Sequence, residues 1–452
     1  MEQALKWREV YGDITDCPGV LLPDEPRTYQ LIGKMLHFWS ENLRSRRLHI
    51  GFDEAHNLGR GQFFDRFGHE DGFAIFTRHL QKVAAMCRDC NLKPMIWSDM
   101  YFRLANPKRE YYNLDYPVPD AVKREIPPEV GIVYWDYYHR DRRFYREYFA
   151  AHRQFGNPIA AAAGIWTFNK LWYDRELTLG TITPMIAEAR AAGIDDFTFT
   201  LWGDDGSYCH IDSAMLGLAE GAELLWGGDA AGAPLKHRFR SLNIMDYDLA
   251  VNTARLVERH YDNGSGLFWE NNLNSYSSAI FWDDILLNLG FRNMIVNSPE
   301  NAVLLAADYA WVAEFLNTNK PSGEAGKYAA ALADLLTRKL ALQRRLRTLG
   351  AGSRADGVKT LADKELPRLI AAYETFAELF RRQWLAAAKP FGLEVIQQRI
   401  GGIIFRLGEA RRRLHEYADG DVLAIPELAE PLPPRACALD WYKELAGASI
   451  IK

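Results

Sequence analysis

The sequence predicts a parallel α/β sheet followed by an all-α region, and three observations carry that expectation. Five short apolar runs alternate with helical periodicity through the first half of the chain. Most of these runs stop at a tryptophan, an acid or both. After about residue 235 only long patterns of period 3.6 remain.

The elements follow in order. Residues 1–26 hold Pro18, Pro23 and Pro26 with several acids and read as irregular, with 12–16 a loop. Leu31, Met35, Leu36 and Trp39 share a helical face over 28–43. A strand from Arg47 then ends at Asp53-Glu54, ahead of a turn with Gly59 and Gly61. Helix 72–88 leads to strand 93–99, and a polar stretch rich in Tyr and Pro, 106–128, precedes strand 131–137. Helix 142–155 leads to strand 158–166, and helix 179–192, with Pro184 near its first turn, leads to strand 196–205. Spacings of roughly 30 to 45 residues are those of parallel strands joined by crossover helices. Strands apolar on both faces are expected to be buried on both.

An open doubly wound sheet and a (β/α)8 barrel both satisfy this pattern. The aromatic and acidic strand ends favour the barrel, where they converge on one mouth. Five of its eight strands are recognisable. Further helices are expected over 244–260, 278–289, 301–316, 326–349, 364–385 and 395–417, with a proline-rich strap at 424–434. The expected division is therefore 1–235 for the barrel part and 236–452 for the helical domain.

Composition narrows the function classes. Hydrophobic residues make up 48% and charged residues 25% of the 452, an ordinary globular balance. A net charge of −5 argues against a phosphate-backbone binder, so no nucleic-acid partner is expected. The chain has no 18-residue apolar run, so no membrane span is expected. Five cysteines make no disulfide framework, and Cys87 and Cys90 read as helical thiols without a second pair to complete a zinc site. No metal and no cofactor are expected, and the lack of a signal-peptide pattern favours the cytoplasm.

Asp53 and Glu54 carry the chemistry of this reading. Neighbours on a regular strand point to opposite faces, so both acids can serve one substrate only if the strand ends there. Two-carboxylate retaining glycosidases place their acids about 5 to 5.5 Å apart, normally on different strands. An adjacent pair suits another division of labour, one acid protonating the leaving oxygen while its neighbour orients a substrate group. Trp97, Trp135, Trp166 and Trp202 each close a different strand, and Asp99, Asp136 and Asp204 follow three of them within two residues. Indole faces with nearby carboxylates are the ordinary means of holding a sugar.

His49-Ile50-Gly51-Phe52-Asp53-Glu54-Ala55 resembles the strand-4 signature of family 20 glycoside hydrolases, the β-N-acetylhexosaminidases. Its continuation, His56-Asn57-Leu58-Gly59, is similar to the branch that carries a C-terminal helical domain. The resemblance implies that strands 4–8 of the barrel are present and that the first three precede residue 1. It implies a retaining, substrate-assisted hydrolase acting on terminal N-acetylhexosamine, with Glu54 as general acid and base in a desolvated, Trp-lined site. Asp53 would orient the substrate's 2-acetamido group. Trp97, Trp135 and Trp166 would wall the acetamide pocket, Trp202 would stack under the ring, and Asp204 would take outer hydroxyls. The acetamide-bonding tyrosine would be Tyr137 or Tyr173. Two other readings remain: a conventional glycosidase pairing Glu54 with Asp99, Asp136 or Asp204, and a sugar-binding protein without turnover. Whether the helical half pairs two copies into a homodimer is not fixed by the sequence.

Overall fold

The computed structural model describes residues 2–228, 232–242, 245–261, 274–292, 299–349 and 355–429. These fall into two compact units, Met1–Ala163 with Pro184–Phe199, and Gly164–Thr183 with Thr200–Lys452.

The first unit is built on a curled five-stranded parallel sheet, half of a barrel. A small hairpin, β1 (Thr15–Cys17) and β2 (Val20–Leu21), precedes it. The sheet strands are β3 (Arg47–His49), β4 (Lys93–Trp97), β5 (Gly131–Asp136), β6 (Ile159–Gly164) and β7 (Phe197–Thr200), paired in sequence order. Arg47 on β3 pairs with Asp196 just before β7, so the curl brings the N-terminal ends of the two edge strands together. Burial on both faces holds for β5 throughout and for β6 almost throughout. It fails at the edges: β3 and β7 are exposed or half-buried along their lengths, because each has a neighbour on one side only.

Local chemistry moves several element boundaries from where periodicity placed them. Residues 1–26 are not irregular. They form two short helices, Glu2–Leu5 and Arg8–Tyr11, a 3-10 turn over Gly12–Ile14, and the hairpin. The helix at Pro26–Asn42 starts where Glu25 accepts the N–H of Arg27 and Pro26 supplies a preset φ. Asp99 does not end a strand but opens a helix, Asp99–Ala105, and a second short helix, Asp120–Glu125, interrupts the polar stretch. The helix Arg175–Ala191 begins earlier than expected because the Asp174 carboxylate accepts the N–H of Leu177, so Pro184 lies well inside it.

The second unit is mostly helical. Long helices at Pro299–Asn319, Gly323–Arg347, Leu366–Ala387 and Leu393–Asp419 match the expected spans closely. The helix expected over 278–289 is shorter, Tyr276–Trp282, and ends where the Asp283 carboxylate takes the N–H groups of Gly290 and Phe291. The helix expected at 244–260 spans Tyr247–Ala254, started by Asp246 as N-cap, and residue 244 lies outside the described residues. A two-residue pairing of β8 (His260–Tyr261) with β9 (Asn274–Ser275) precedes the bundle. Of the strap expected over 424–434, Pro426–Ala429 is a short helix and the part from 430 lies outside the described residues. No described helix is long and apolar enough to cross a membrane.

Candidate active site

The acid-bearing segment leaves the sheet before it reaches its carboxylates. The ladder continues past β3 through Ile50 N–H to Met95 O (2.8 Å) and Trp97 N–H to Gly51 O (2.9 Å), then stops. Gly51, Phe52 and Glu54 all have positive φ, at 81°, 74° and 47°. For Phe52 and Glu54 the left-handed conformation costs about 1–3 kcal/mol each and persists only where the surroundings enforce it. One enforcing contact is the Phe52 ring, packed edge-on against Phe76 at 5.4 Å and joined to the cluster of Leu36, Val83, Cys87 and Leu92. On a turn of this kind the strand pleat no longer sends Asp53 and Glu54 to opposite faces.

A single buried carboxylate anchors the turn. Asp99, 0% exposed, accepts the N–H of Glu54 (3.0 Å), the indole N–H of Trp135 (3.3 Å) and the Nε–H of Arg103 (3.2 Å). Arg103 then reaches Glu54 Oε1 with its other arm at 3.3 Å, so one guanidinium joins both carboxylates. Further along, Asp16 plays the same part for the following loop, accepting the N–H groups of Gly59 (2.7 Å), Gly61 (3.0 Å) and Phe63 (2.9 Å).

Three of the aromatic residues expected at the site, Trp97, Trp135 and Tyr137, lie in this unit. Trp97 lies at the end of β4 with its ring 4.2 Å from that of His49. Trp135 near the end of β5 and Tyr137 just beyond it stack at 5.1 Å, with Tyr111 5.0 Å from the indole. Trp166, Trp202 and Asp204 belong to the second unit. There Trp166 is buried, whereas Trp202 is 39% exposed and Asp204 sits in an exposed 3-10 turn. Tyr173 is wholly buried in the same unit.

The electrostatics differ from expectation in one respect. The Glu54 side chain is 52% exposed and paired with Arg103, so the desolvated setting foreseen for it belongs to Asp99 instead. Burial pushes the Asp99 carboxyl up to about 6, although Arg103 and the hydrogen bonds from Glu54 and Trp135 oppose the shift. Asp53 is an exposed residue, yet desolvation by the surrounding protein and the neighbouring charge of Glu54 raise its carboxyl above the ordinary range. His49 keeps an exposed face, yet desolvation by the protein around its ring lowers it to about 4, and its Nδ1 accepts the Gly51 N–H, leaving Nε2 with the proton.

Asp136, named above as an alternative partner for Glu54, is committed elsewhere. It is fully buried and accepts the N–H of Tyr138 (2.8 Å) and His139 (3.1 Å), with His139 Nδ1 at 2.7 Å. Arg103 escaped the sequence reading. Its signal was the Asp99–Arg103 spacing of four, which pairs side chains only if residues 99–105 are helical. Among the described residues no cluster of His, Cys, Asp and Glu is suited to hold a metal ion.

A half-barrel that carries two adjacent acids beyond the end of its first strand is thus followed in sequence by a mostly helical region. Residues 260–436 match the Glycoside Hydrolase 20C C-terminal domain, a finding consistent with the family 20 glycoside hydrolases that the His49–Ala55 segment resembles. That match supports glycoside hydrolase activity in general. No curated protein matches the chain significantly.

Proposed function

We propose that the protein removes terminal β-linked N-acetylglucosamine or N-acetylgalactosamine by a retaining, substrate-assisted mechanism. The observation that carries the reading is the left-handed turn that bears Asp53 and Glu54 while the nearby strand-end carboxylates Asp99 and Asp136 are already occupied. Asp99 has three protein donors and Asp136 is sealed by its own turn, so neither is free to act as a protein nucleophile. The substrate's own 2-acetamido oxygen takes that role, one of the known exceptions to the two-carboxylate rule.

In this mechanism Asp53 accepts the acetamide N–H and holds the carbonyl oxygen under the anomeric carbon. The carbonyl oxygen forms a bond to that carbon as the glycosidic C–O bond breaks, and Glu54 gives its proton to the departing oxygen. Glu54, now a carboxylate, takes a proton from water as the water opens the oxazolinium ring. A sugar seated over Glu54 would exclude the solvent that reaches it in the free protein. Trp97, Trp135 and Trp166 are proposed to wall the acetamide, with Tyr137 bonding its oxygen, Trp202 stacking on the ring and Asp204 taking hydroxyls.

Hydrolysis of nitrophenyl N-acetyl-β-glucosaminide by the full-length protein tests the reading. Glu54→Gln is expected to lower turnover by about 10²- to 10⁴-fold, the range of a lost general acid. Equal turnover by the variant and the parent would remove Glu54 from the mechanism.

A further inference from the structure

Among the side-chain contacts that tie the corner following β6 to the helical domain, one is buried and ionic. Asp174, 0% exposed, has its Oδ2 2.6 Å from His260 Nε2 and 3.7 Å from Lys170 Nζ, and His260 is the first residue of the matched domain. The main chain of Asp174 faces the other way. Its N–H donates to the carbonyl of Trp166 (3.0 Å), and its own carbonyl accepts the Thr178 hydroxyl (2.8 Å). The oxygen of that hydroxyl accepts the N–H of Trp166 (2.9 Å). Both main-chain polar groups of Trp166 thus close on a corner centred on Asp174. Around the indole, Phe168 stacks at 4.1 Å and Lys170 Nζ lies 5.5 Å from the ring centre.

His260 is itself fixed. Its backbone pairs with Ser275 across β8 and β9, its side chain is 5% exposed, and its second ring nitrogen lies 3.6 Å from Glu176 Oε2. Burial alone would push the Asp174 carboxyl up, but the His260 contact and Lys170 outweigh it and hold the carboxyl below its ordinary range. A carboxylate in such a place stays where its donors are, because a buried charge without a partner is costly.

We infer that His260, acting through Asp174, is a positioning residue for Trp166, so that the helical domain sets the shape of the tryptophan-bearing loop. The positioning stands on the geometry alone; its consequence for sugar binding rests on the role proposed for Trp166 above. Removing His260 takes away the closest donor to Asp174, leaving Lys170 as its main charged partner. The carboxylate then turns toward Lys170, and the corner that holds Trp166 turns with it.

The test uses the full chain labelled with 5-fluorotryptophan, the Trp166 resonance being assigned by its loss in Trp166→Phe. In His260→Ala this resonance is expected to shift or broaden while those of Trp97 and Trp135 stay in place. His260→Gln, whose amide can still donate to Asp174, is expected to restore it. Asp174→Asn keeps the size of the side chain and serves as the second variant, moving the same resonance in the same direction. An unmoved Trp166 resonance in both His260→Ala and Asp174→Asn overturns the inference. In the nitrophenyl N-acetyl-β-glucosaminide assay, His260→Ala is expected to raise KM about tenfold with little change in kcat, the size of one charge-assisted hydrogen bond. A moved resonance with unchanged KM upholds the positioning and overturns the sugar-binding role of Trp166 instead.

Discussion

Asp99 supplies a quantitative test of how the acid-bearing turn is held. Its carboxyl is fully buried, and burial raises it from 3.8 to about 6 against the pull of Arg103. A folded-state value above the unfolded one means that the folded chain binds this proton more tightly. The linked stability is complete below the unfolded value and is lost as pH rises through about 6. At 1.36 kcal/mol per unit, a shift of about two units amounts to ~3 kcal/mol. Asp99→Asn has no proton to exchange, so the difference between the two proteins cancels the titration of groups too distant to feel the Asp99 charge. Urea unfolding of both, followed from about pH 7 down to about pH 3, is expected to show the parent gaining ~3 kcal/mol on the variant. A stability difference that stays constant over that range would refute the claim that a buried, destabilised carboxylate anchors the Glu54 turn.

Other consequences follow from the same contacts. Arg103→Ala removes the group that joins Glu54 and Asp99, and is expected to lower kcat/KM for the nitrophenyl substrate by about 10- to 100-fold. Arg103→Lys should recover only part of this, since an ammonium cannot fork between two carboxylates; full activity in the alanine variant would count against the bridge. Gly61→Ala would place a methyl 2.0 Å from the main-chain oxygen of Asp16, which cannot swing aside. A loss of about 1–3 kcal/mol in thermal unfolding is expected, and an unchanged melting temperature would contradict the packing described. In the second unit, buried Lys339 donates to Phe281 O, Asp283 O and the Tyr373 hydroxyl, each within 2.9 Å. Lys339→Met leaves the buried Asp283 carboxylate without its nearby positive charge, and urea unfolding should report a loss of roughly 3–5 kcal/mol.

What could be read from the sequence was what periodicity encodes. The runs at Gly131–Asp136 and Ile159–Gly164 are apolar on both faces and proved to be central strands, and the long helices from Gly323 onward repeat apolar residues over many turns. The position of the acid pair beyond a strand end was legible too, because Gly51 and the following glycine-containing turn mark the exit. What could not be read depends on single side chains acting across long sequence separations. The hairpin at Thr15–Leu21 is locked by Asp16 to a loop more than forty residues away. The start of the helix at Arg175 and the end of the one at Trp282 are each set by one aspartate side chain, which periodicity cannot see. Arg103 was missed for a related reason: its partner Asp99 looked like a strand terminus rather than the first residue of a helix.

The central claim is that the substrate's acetamide, and no carboxylate of the protein, attacks the anomeric carbon. The most direct measurement is inhibition of the full-length protein by a thiazoline mimic of the oxazolinium, read against nitrophenyl N-acetyl-β-glucosaminide. Competitive inhibition that weakens in Asp53→Asn is the predicted result. Hydrolysis that proceeds undiminished at a saturating concentration of the mimic would contradict the mechanism.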